Sequence, residues 1–203
     1  MTELYDYENE IKSQGYEVLC GVDEAGRGPL AGSVFAAAVI LPDGIFIEGL
    51  NDSKKLTEKK REKLFDIIKE NAVAYCIASV DEKEIDRINI LQATFLAMNK
   101  AVDGLKIKPQ IALVDGNQDP HLKVPCQTVV KGDAKCASIA AASILAKVSR
   151  DRFMLEKAKE YPEYCFEKHK GYGTKLHYEK LAEYGASPIH RQSFLKKFYD
   201  KKG

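Results

Sequence analysis

The sequence predicts one α/β domain with a mixed β-sheet flanked by helices. Its 203 residues are 45% apolar, which is enough for one well-buried core and short for two. Two apolar runs that follow each other closely, at 18–22 and 34–41, favour an antiparallel hairpin. Strand-like and helical patterns then alternate, as in a sheet that also contains parallel strands. The sequence shows no internal repeat or linker, so we expect a single domain over residues 1–203.

Each element has a local signal. The second strand stops at Pro42-Asp43-Gly44, which is a strong turn sequence. Strands are predicted at 18–22, 34–41, 72–80, 111–114 and 124–130. Helices are predicted within 1–16, after the N-cap residue Thr57, over 91–105, over the alanine-rich stretch 134–155, and over 174–184 before Gly185. From about residue 160, a basic helical segment is expected to pack on the domain as a small C-terminal extension.

Charge and cysteine usage narrow the class of protein. Residues 1–24 carry seven acidic residues against one lysine, and residues 168–203 carry nine basic residues against three acidic ones. This asymmetry is typical of a protein that grips a polyanion on one side, although a solvated helix face also produces it. Five scattered cysteines without a C-x-x-C pair indicate reduced thiols rather than disulfides or a zinc site. With no long apolar segment for export or membrane insertion, a cytoplasmic protein is expected.

Carboxylates follow three of the predicted strands. Asp23 and Glu24 come after the first strand, Asp115 after 111–114, and Asp133 shortly after 124–130. If these strands are neighbours, four carboxylates converge on one edge of the sheet and repel one another unless cations neutralise them. Two Mg²⁺ ions would do so. Such a pair, about 3.5–4 Å apart, stabilises both the attacking and the leaving oxygen of a phosphodiester displacement.

Each acid also has a purely structural interpretation. Asp115 precedes Gly116, as in an ordinary turn, and Asp133 stands where a helix N-cap belongs. Asp23 and Glu24 are neighbours, so strand alternation would direct them to opposite faces unless the strand twists, bulges or ends there. The sequence leaves these alternatives open.

A glycine turn follows the first pair of acids. Gly26-Arg27-Gly28 lets backbone N–H groups approach an anion or a polar ligand. Residues 26–31 also match the dinucleotide-binding pattern G-x-G-x-x-A. That pattern requires a helix to begin within it, whereas a strand-like run begins here at Val34. We therefore reject a dinucleotide site.

The chain resembles bacterial ribonuclease HII, of the type 2 ribonuclease H family, from about residue 18 to 194. The resemblance rests on GVDEAGRGPLAG (21–32), NDSKKL (51–56), Asp115-Gly116, KGDAKCASIAAASILAKVSRDR (131–152), HKGYGT (169–174) and SPIHRQSF (187–194). It implies an RNase H-like fold and an endoribonuclease that cuts the RNA strand of RNA–DNA hybrids. It also implies nicking 5′ of single ribonucleotides in duplex DNA with Mg²⁺ or Mn²⁺, leaving 3′-OH and 5′-phosphate ends.

The same resemblance assigns roles to residues. The family's catalytic, metal-binding acids correspond to Asp23, Glu24, Asp115 and Asp133. The motif that contacts the ribonucleotide 2′-hydroxyl corresponds to Gly26, Arg27 and Gly28, and the tyrosine that packs on the sugar corresponds to Tyr172. Phosphate contacts are predicted for Lys54, Lys55, Lys168, Lys170, Lys175 and Arg191. We expect the histidines of the tail to contact phosphate or to lie on the surface.

Residues 192–199 (QSFLKKFY) resemble a motif by which repair enzymes dock on a sliding clamp. The alternative is that these apolar side chains pack the tail onto the core. Two other functions compete with the hybrid-directed endonuclease: a non-catalytic binder of RNA–DNA hybrids and a DNA-directed nuclease of the same superfamily. The presence of all four acids disfavours the first, and the glycine turn with Tyr172 disfavours the second.

Overall fold

The computed structural model describes residues 3–200 and contains a five-stranded sheet flanked by helices. The strands are β1 (Leu19–Ala25), β2 (Val34–Ile40), β3 (Ala74–Val80), β4 (Ile111–Asp115) and β5 (Cys126–Val129). The α-helices are α1 (Glu3–Ser13), α2 (Glu58–Asn71), α3 (Glu82–Asp103), α4 (Ala137–Glu160), α5 (Phe166–His169), α6 (Lys175–Tyr184) and α7 (Gln192–Tyr199).

The sheet is mixed, in the order β3-β2-β1-β4-β5. β1, β2 and β3 form an antiparallel meander, which confirms the predicted hairpin. β4 and β5 run parallel to β1. Because β1, β4 and β5 are parallel neighbours, their carboxyl ends meet at one edge of the sheet. The predicted α/β class with a mixed sheet is confirmed.

Helices cover both faces of the sheet. α3 packs on one face through alanines and Met98, and α4 with α2 covers the other through alanines, Ile144 and Ile68. Small side chains on α4 let the helix approach the sheet closely. Gly21 of β1 marks the tightest point, because a Cβ added there would lie 2.1 Å from the backbone carbonyl carbon of Ser138. This contact requires glycine on sterics alone.

The N-terminal helix stabilises the start of α4. Glu8 is buried, and its Oε1 accepts a hydrogen bond from the N–H group of Ser138 at 2.5 Å. The helix itself has Cys136 at its N-cap, and this side chain makes no capping hydrogen bond. The Glu8 carboxylate of α1 therefore accepts a hydrogen bond from an amide group at the start of α4, and its negative charge lies at the positive end of the helix dipole.

Several predicted boundaries differ from the structure. β1 continues through Ala25, so Asp23 and Glu24 lie within the strand rather than after it. α4 begins at Ala137, and residues 132–134 form a separate 3₁₀ turn, so the interpretation of Asp133 as a helix N-cap is wrong. α3 begins at Glu82, before the predicted start at residue 91. A kink at Asn89 (φ 69°) interrupts the helical repeat between the first turns of α3 and the part that was predicted. The caps at Thr57 and Thr174 are confirmed.

The part of the chain after α4 packs on the rest through two apolar clusters. One contains Phe166, Met154 and Ile189, and the other contains Leu30, Leu181 and Leu195. All five cysteines are free, as predicted. Among the described residues, no helix combines the length and apolarity that crossing a membrane would require.

Gly21→Ala tests the contact between β1 and α4. The added methyl group would overlap the backbone of α4, so we expect the free energy of unfolding to fall by about 3 kcal/mol. Urea unfolding followed by circular dichroism measures this change. Gly28→Ala is the matched control, because its Cβ would meet only the Tyr172 ring, at 3.9 Å. We expect that control to stay within about 0.5 kcal/mol of the wild type. Equal stability of the two variants would contradict the proposed contact.

Candidate active site

Three of the predicted acids lie together at the carboxyl edge of the parallel strands. One carboxylate oxygen each from Asp23, Asp115 and Asp133 lies within 4.8 Å of the others. Val22 of β1 pairs with Val114 of β4, so the next positions along the two strands are Asp23 and Asp115. Asp133 reaches them from the 3₁₀ turn that follows β5. Parallel pairing thus produces the convergence that the sequence only suggested.

Glu24 lines the same cleft but is not a member of that three-acid cluster. The pairing of β1 with β4 ends at Val22, whereas its pairing with β2 continues to Ala25. Glu24 therefore lies at the end of the parallel pairing, where its side chain extends to Arg27. The Arg27 Nη1 atom lies 3.4 Å from Glu24 Oε1. Asp23 and Glu24 can therefore both line one cleft, because β1 extends beyond the last residue pair that it forms with β4.

Backbone amide groups hold the carboxylates in place. The Gly132 N–H donates to Asp115 Oδ1 at 2.7 Å, and the Glu24 N–H donates to Asp23 Oδ1 at 2.6 Å. Lys131, in left-handed conformation (φ 58°), turns the chain so that Gly132 can make this contact. The acids are therefore positioned before any cation binds.

The acids are electrostatically unfavourable without a cation. Burial, followed by the neighbouring Glu24 and Asp115, raises the pKa of Asp23 well above its ordinary value of 3.8. Burial and Asp115 also raise the pKa of Asp133. The pKa of Glu24 is raised by burial in spite of the opposing Arg27 guanidinium. Carboxylate oxygens held this close fit a hard divalent cation, which would restore their charged forms.

Of the basic residues that were predicted from the sequence to contact phosphate, Lys54 lies beside the cluster of Asp23, Asp115 and Asp133. Its Nζ lies 3.5 Å from Asp133 Oδ2. Burial lowers the pKa of Lys54, but Asp133 and the other acids outweigh that effect and raise it. Lys55 belongs to the same 3₁₀ turn but is exposed and does not line the cleft.

The glycine turn and Tyr172 line the same cleft. Gly26, Arg27 and Gly28 all line it together with Tyr172, whose side chain is 41% exposed. Gly26 has φ +98°, and a Cβ there would lie 2.2 Å from the Arg150 Nε, so glycine is required on two grounds. The structure therefore brings every predicted ribose-contacting residue beside the acids.

Side chains that the sequence did not single out complete the cleft. Ser53 and Ser143 share a buried hydrogen bond of 2.6 Å between their hydroxyl groups. Lys147 lines the cleft, and its Nζ lies 2.7 Å from Asp151. Ser143 and Lys147 are four residues apart and share one face of α4, so helical spacing could have identified them.

Two predictions for the tail are wrong. Arg191 has no exposed surface and cannot hold a phosphate, because its guanidinium binds backbone carbonyl oxygens of the glycine turn. The three histidines of the tail, His169, His177 and His190, are buried rather than on the surface. The lysines 168, 170 and 175 do not line the cleft, and Lys175 lies 3.8 Å from Glu179.

The histidines hold the backbone of Tyr172 through a network with one consistent set of tautomers. His177 Nδ1 must donate to the Tyr172 carbonyl oxygen at 2.9 Å, so its Nε2 accepts from His190 Nε2 at 3.0 Å. His190 Nδ1 then accepts from the Ser187 hydroxyl at 2.7 Å. Burial lowers the pKa of both His177 and His190 to about 4, so both are neutral at pH 7. The network orients the tyrosine loop, and neither His177 nor His190 lines the cleft.

A mixed sheet whose parallel strand ends carry clustered, buried carboxylates defines a metal-dependent nuclease of the RNase H-like class. Residues 20–197 match the model of the Ribonuclease HII family, and the chain belongs to that family. It is an endoribonuclease that acts on RNA–DNA hybrids. These comparisons confirm the family and fold that the sequence motifs implied.

Proteins of similar sequence and structure support the assignment to the Ribonuclease HII family. Ribonuclease HII of Caldicellulosiruptor saccharolyticus is 58% identical over 192 residues, which is 95% of this chain and 94% of that protein. The crystal structure of ribonuclease H2 from Pyrococcus horikoshii superposes with a TM-score of 0.72 at 33% identity, covering 87% of this chain and 93% of that one. RNase HII from Archaeoglobus fulgidus, solved in complex with PCNA, gives a TM-score of 0.66 at 25% identity, covering 86% and 93%.

The raised pKa of Asp23 predicts how stability depends on pH without metal. Between the unfolded and the raised folded pKa of this carboxyl, the folded state binds more protons than the unfolded state. The free energy of unfolding therefore falls as pH rises through that window. Asp23→Asn removes the titration and keeps an oxygen for the Glu24 amide. We expect the variant to be more stable than the wild type at about pH 8 and to lose this advantage towards about pH 4.

Urea unfolding in EDTA across that pH range measures the difference. Asp119→Asn, at a carboxyl whose side chain is 55% exposed and which lies outside the cleft, is the control and should show no such gain in stability at about pH 8. Lower stability of Asp23→Asn than of the wild type at about pH 8 would contradict the proposed repulsion.

Proposed function

We propose that this enzyme nicks duplex DNA on the 5′ side of a single embedded ribonucleotide, as well as cutting the RNA strand of hybrids. It would leave 3′-OH and 5′-phosphate ends. One observation carries the proposal: Asp23 and Asp115 of the carboxylate cluster line the same cleft as Gly26, Arg27 and Gly28 of the glycine turn. Cutting and recognition of the sugar can therefore occur on the same nucleotide.

The donor set fits divalent cations, and we propose two Mg²⁺ or Mn²⁺ ions in the substrate complex. Bound there, the ions would supply an activated water and neutralise charge on the scissile phosphate. Asp23, Asp115 and Asp133 would hold them directly. Glu24, whose carboxylate contacts Arg27 and lines the same cleft, would complete the set. Lys54, beside Asp133, would then contact a substrate phosphate, and exposed Lys55 would contact one further along the strand.

The remaining residues of the cleft would select the sugar. Backbone groups of Gly26, Arg27 and Gly28 would bind the 2′-hydroxyl, which distinguishes RNA from DNA at a given position. The exposed ring of Tyr172 lies beside Gly28 and would pack on the sugar at the RNA–DNA junction. Phosphate contacts elsewhere would set the register of the duplex without reading its sequence.

We also propose that residues 1–203 form one domain and that the protein has a cytoplasmic location.

A sliding clamp stays a predicted partner. A PCNA complex is known for the Archaeoglobus fulgidus protein. In this chain, Leu195 of α7 has no exposed surface and Phe198 stacks on Tyr178 with ring centroids 5.8 Å apart. These contacts support the alternative that residues 192–199 pack the tail onto the core. Tyr199, which is 44% exposed, is the aromatic ring of α7 best placed to reach a partner.

Cleavage of three matched duplexes tests the proposed function. One duplex contains a single ribonucleotide, the second is all DNA, and the third is an RNA–DNA hybrid of the same sequence. With Mg²⁺ or Mn²⁺ we expect cutting of the first and third only, and a 3′-OH end directly 5′ of the ribonucleotide in the first. Gel analysis of end-labelled strands identifies the products. Equal cutting of the first two duplexes, or failure to cut the first, would refute the proposal.

Asp115→Asn tests the role of the carboxylate cluster. The asparagine keeps an oxygen that can accept the Gly132 amide, so the fold should persist. Loss of one charged ligand should lower kcat by about 100-fold or more, because several kcal/mol of charge stabilisation would be lost. Binding to the ribonucleotide duplex, measured by fluorescence anisotropy, should change little. Asp119→Asn again serves as the control, and a near-parental kcat for Asp115→Asn would refute the metal assignment.

A further inference from the structure

The carbonyl oxygens of the glycine turn are bound by one buried guanidinium. Arg191 donates to the Gly26 carbonyl at 2.7 Å, to the Arg27 carbonyl at 3.0 Å and to the Gly32 carbonyl at 2.7 and 2.9 Å. All three guanidinium nitrogens take part. Such a planar fork of donors fixes directions as well as distances, which a lysine ammonium cannot do.

The Arg191 backbone is held as firmly as its side chain. Its N–H donates to the Leu30 carbonyl at 2.9 Å, and the Gly32 N–H donates to the Ile189 carbonyl at 2.8 Å. Ala31 and His190 form a β-bridge between these two contacts. The guanidinium has no exposed surface and lies behind the turn, on the side away from solvent. The buried Arg191 guanidinium is therefore about 160 residues away along the chain from the carbonyl groups to which it donates.

Peptide geometry converts these contacts into a direction for the amide groups. The Gly26 carbonyl and the Arg27 N–H belong to one peptide unit, and the Arg27 carbonyl and the Gly28 N–H belong to the next. Both units are trans, since the described residues contain no cis peptide bond, so each N–H points opposite to its carbonyl. With both carbonyls directed at Arg191, the two N–H groups point away from it, and the turn that carries them lines the cleft.

A second buried arginine supports the neighbouring tyrosine. Arg150 is fully buried, and its Nη2 donates to the Lys170 carbonyl at 3.0 Å and to the Ala31 carbonyl at 3.3 Å. Its guanidinium carbon lies 5.5 Å from the centroid of the Tyr172 ring. The Nε and Nη1 atoms of Arg150 have no hydrogen-bond partner among the described residues. The ring face is therefore a main compensating contact for this charge.

We infer that Arg191 is a positioning residue for ribose selection: it directs the amide groups of Arg27 and Gly28 at the substrate, while Arg150 supports the Tyr172 ring beside them. This inference rests on the proposed role of the glycine turn. Donors preset in this way lose no energy to reorganisation when a hydroxyl or phosphate oxygen arrives. The two positive charges behind the turn also favour an anionic ligand in front of it.

Arg191→Met and Arg191→Lys test the inference with two readouts. We expect Arg191→Met to lower kcat/KM for the single-ribonucleotide duplex by about 100-fold, because misplaced recognition groups misplace the scissile bond. Arg191→Lys keeps the charge without the fork and should recover about tenfold of that loss. In Ca²⁺, anisotropy should show that Arg191→Met binds the all-DNA duplex as the wild type does but no longer prefers the ribonucleotide duplex.

Two matched variants separate positioning from general damage. Ile68→Ala removes a fully buried side chain on α2, away from the turn, and should lower stability without changing the preference for ribonucleotide. Gly28→Ala adds a methyl group beside the Tyr172 ring at the lining of the cleft, and should reduce that preference without loss of stability. An unchanged preference in Arg191→Met, or failure of both Arg191 variants to fold, would overturn the inference. If the wild type itself showed no preference, the proposed function would fail instead.

Discussion

Mutual repulsion among buried carboxylates is the constraint on which the catalytic edge of this protein depends. Asp23 lies in the centre strand of the sheet with only 4% of its surface exposed, and after this burial the charges of Glu24 and Asp115 raise its pKa further. Charges in such a position are expensive unless a cation or a proton compensates them. Amide groups from Gly132 and Glu24 bind two of these carboxylates, but hydrogen bonds alone do not remove the repulsion. The cluster is therefore held ready for a metal ion at a cost in stability that folding elsewhere must offset.

The rest of the fold offsets this cost through close packing. Alanines on α4 and Gly21 on β1 bring the helix backbone against the strand that carries Asp23 and Glu24. Glu8, from the N-terminal helix, supplies the hydrogen bond acceptor at the start of α4. A strand fixed in this way can present two acids with little freedom to move apart. The rigidity of the site thus comes from apolar contacts on the face of the sheet rather than from the acids themselves.

Two opposite electrostatic arrangements meet at the glycine turn. On the side of the cleft lie the acids, whose charges a bound cation would neutralise. On the buried side lie Arg150 and Arg191, whose guanidinium groups donate hydrogen bonds to backbone carbonyl oxygens. Burial, and then the nearby Arg150, lowers the pKa of Arg191 to about 9, which still leaves it charged at pH 7. The ion pair between Glu24 and Arg27 connects the two arrangements across three residues. Because one short segment belongs to both, the positions of the acids and of the proposed sugar contacts are set together.

Local patterns in the sequence were sufficient for the hairpin and for the helix caps at Thr57 and Thr174, because each depends on neighbouring residues. They also marked the four acids and the glycine turn as candidates, but did not decide which of the acids converge. The long motifs also determined the family. Tertiary structure alone decided that Asp23 rather than Glu24 joins Asp115 and Asp133, because the register between β1 and β4 sets that choice. It also decided that Arg191 points inwards. A basic residue in a basic tail has the local pattern of a surface charge, and its carbonyl partners lie more than 150 residues away in the chain.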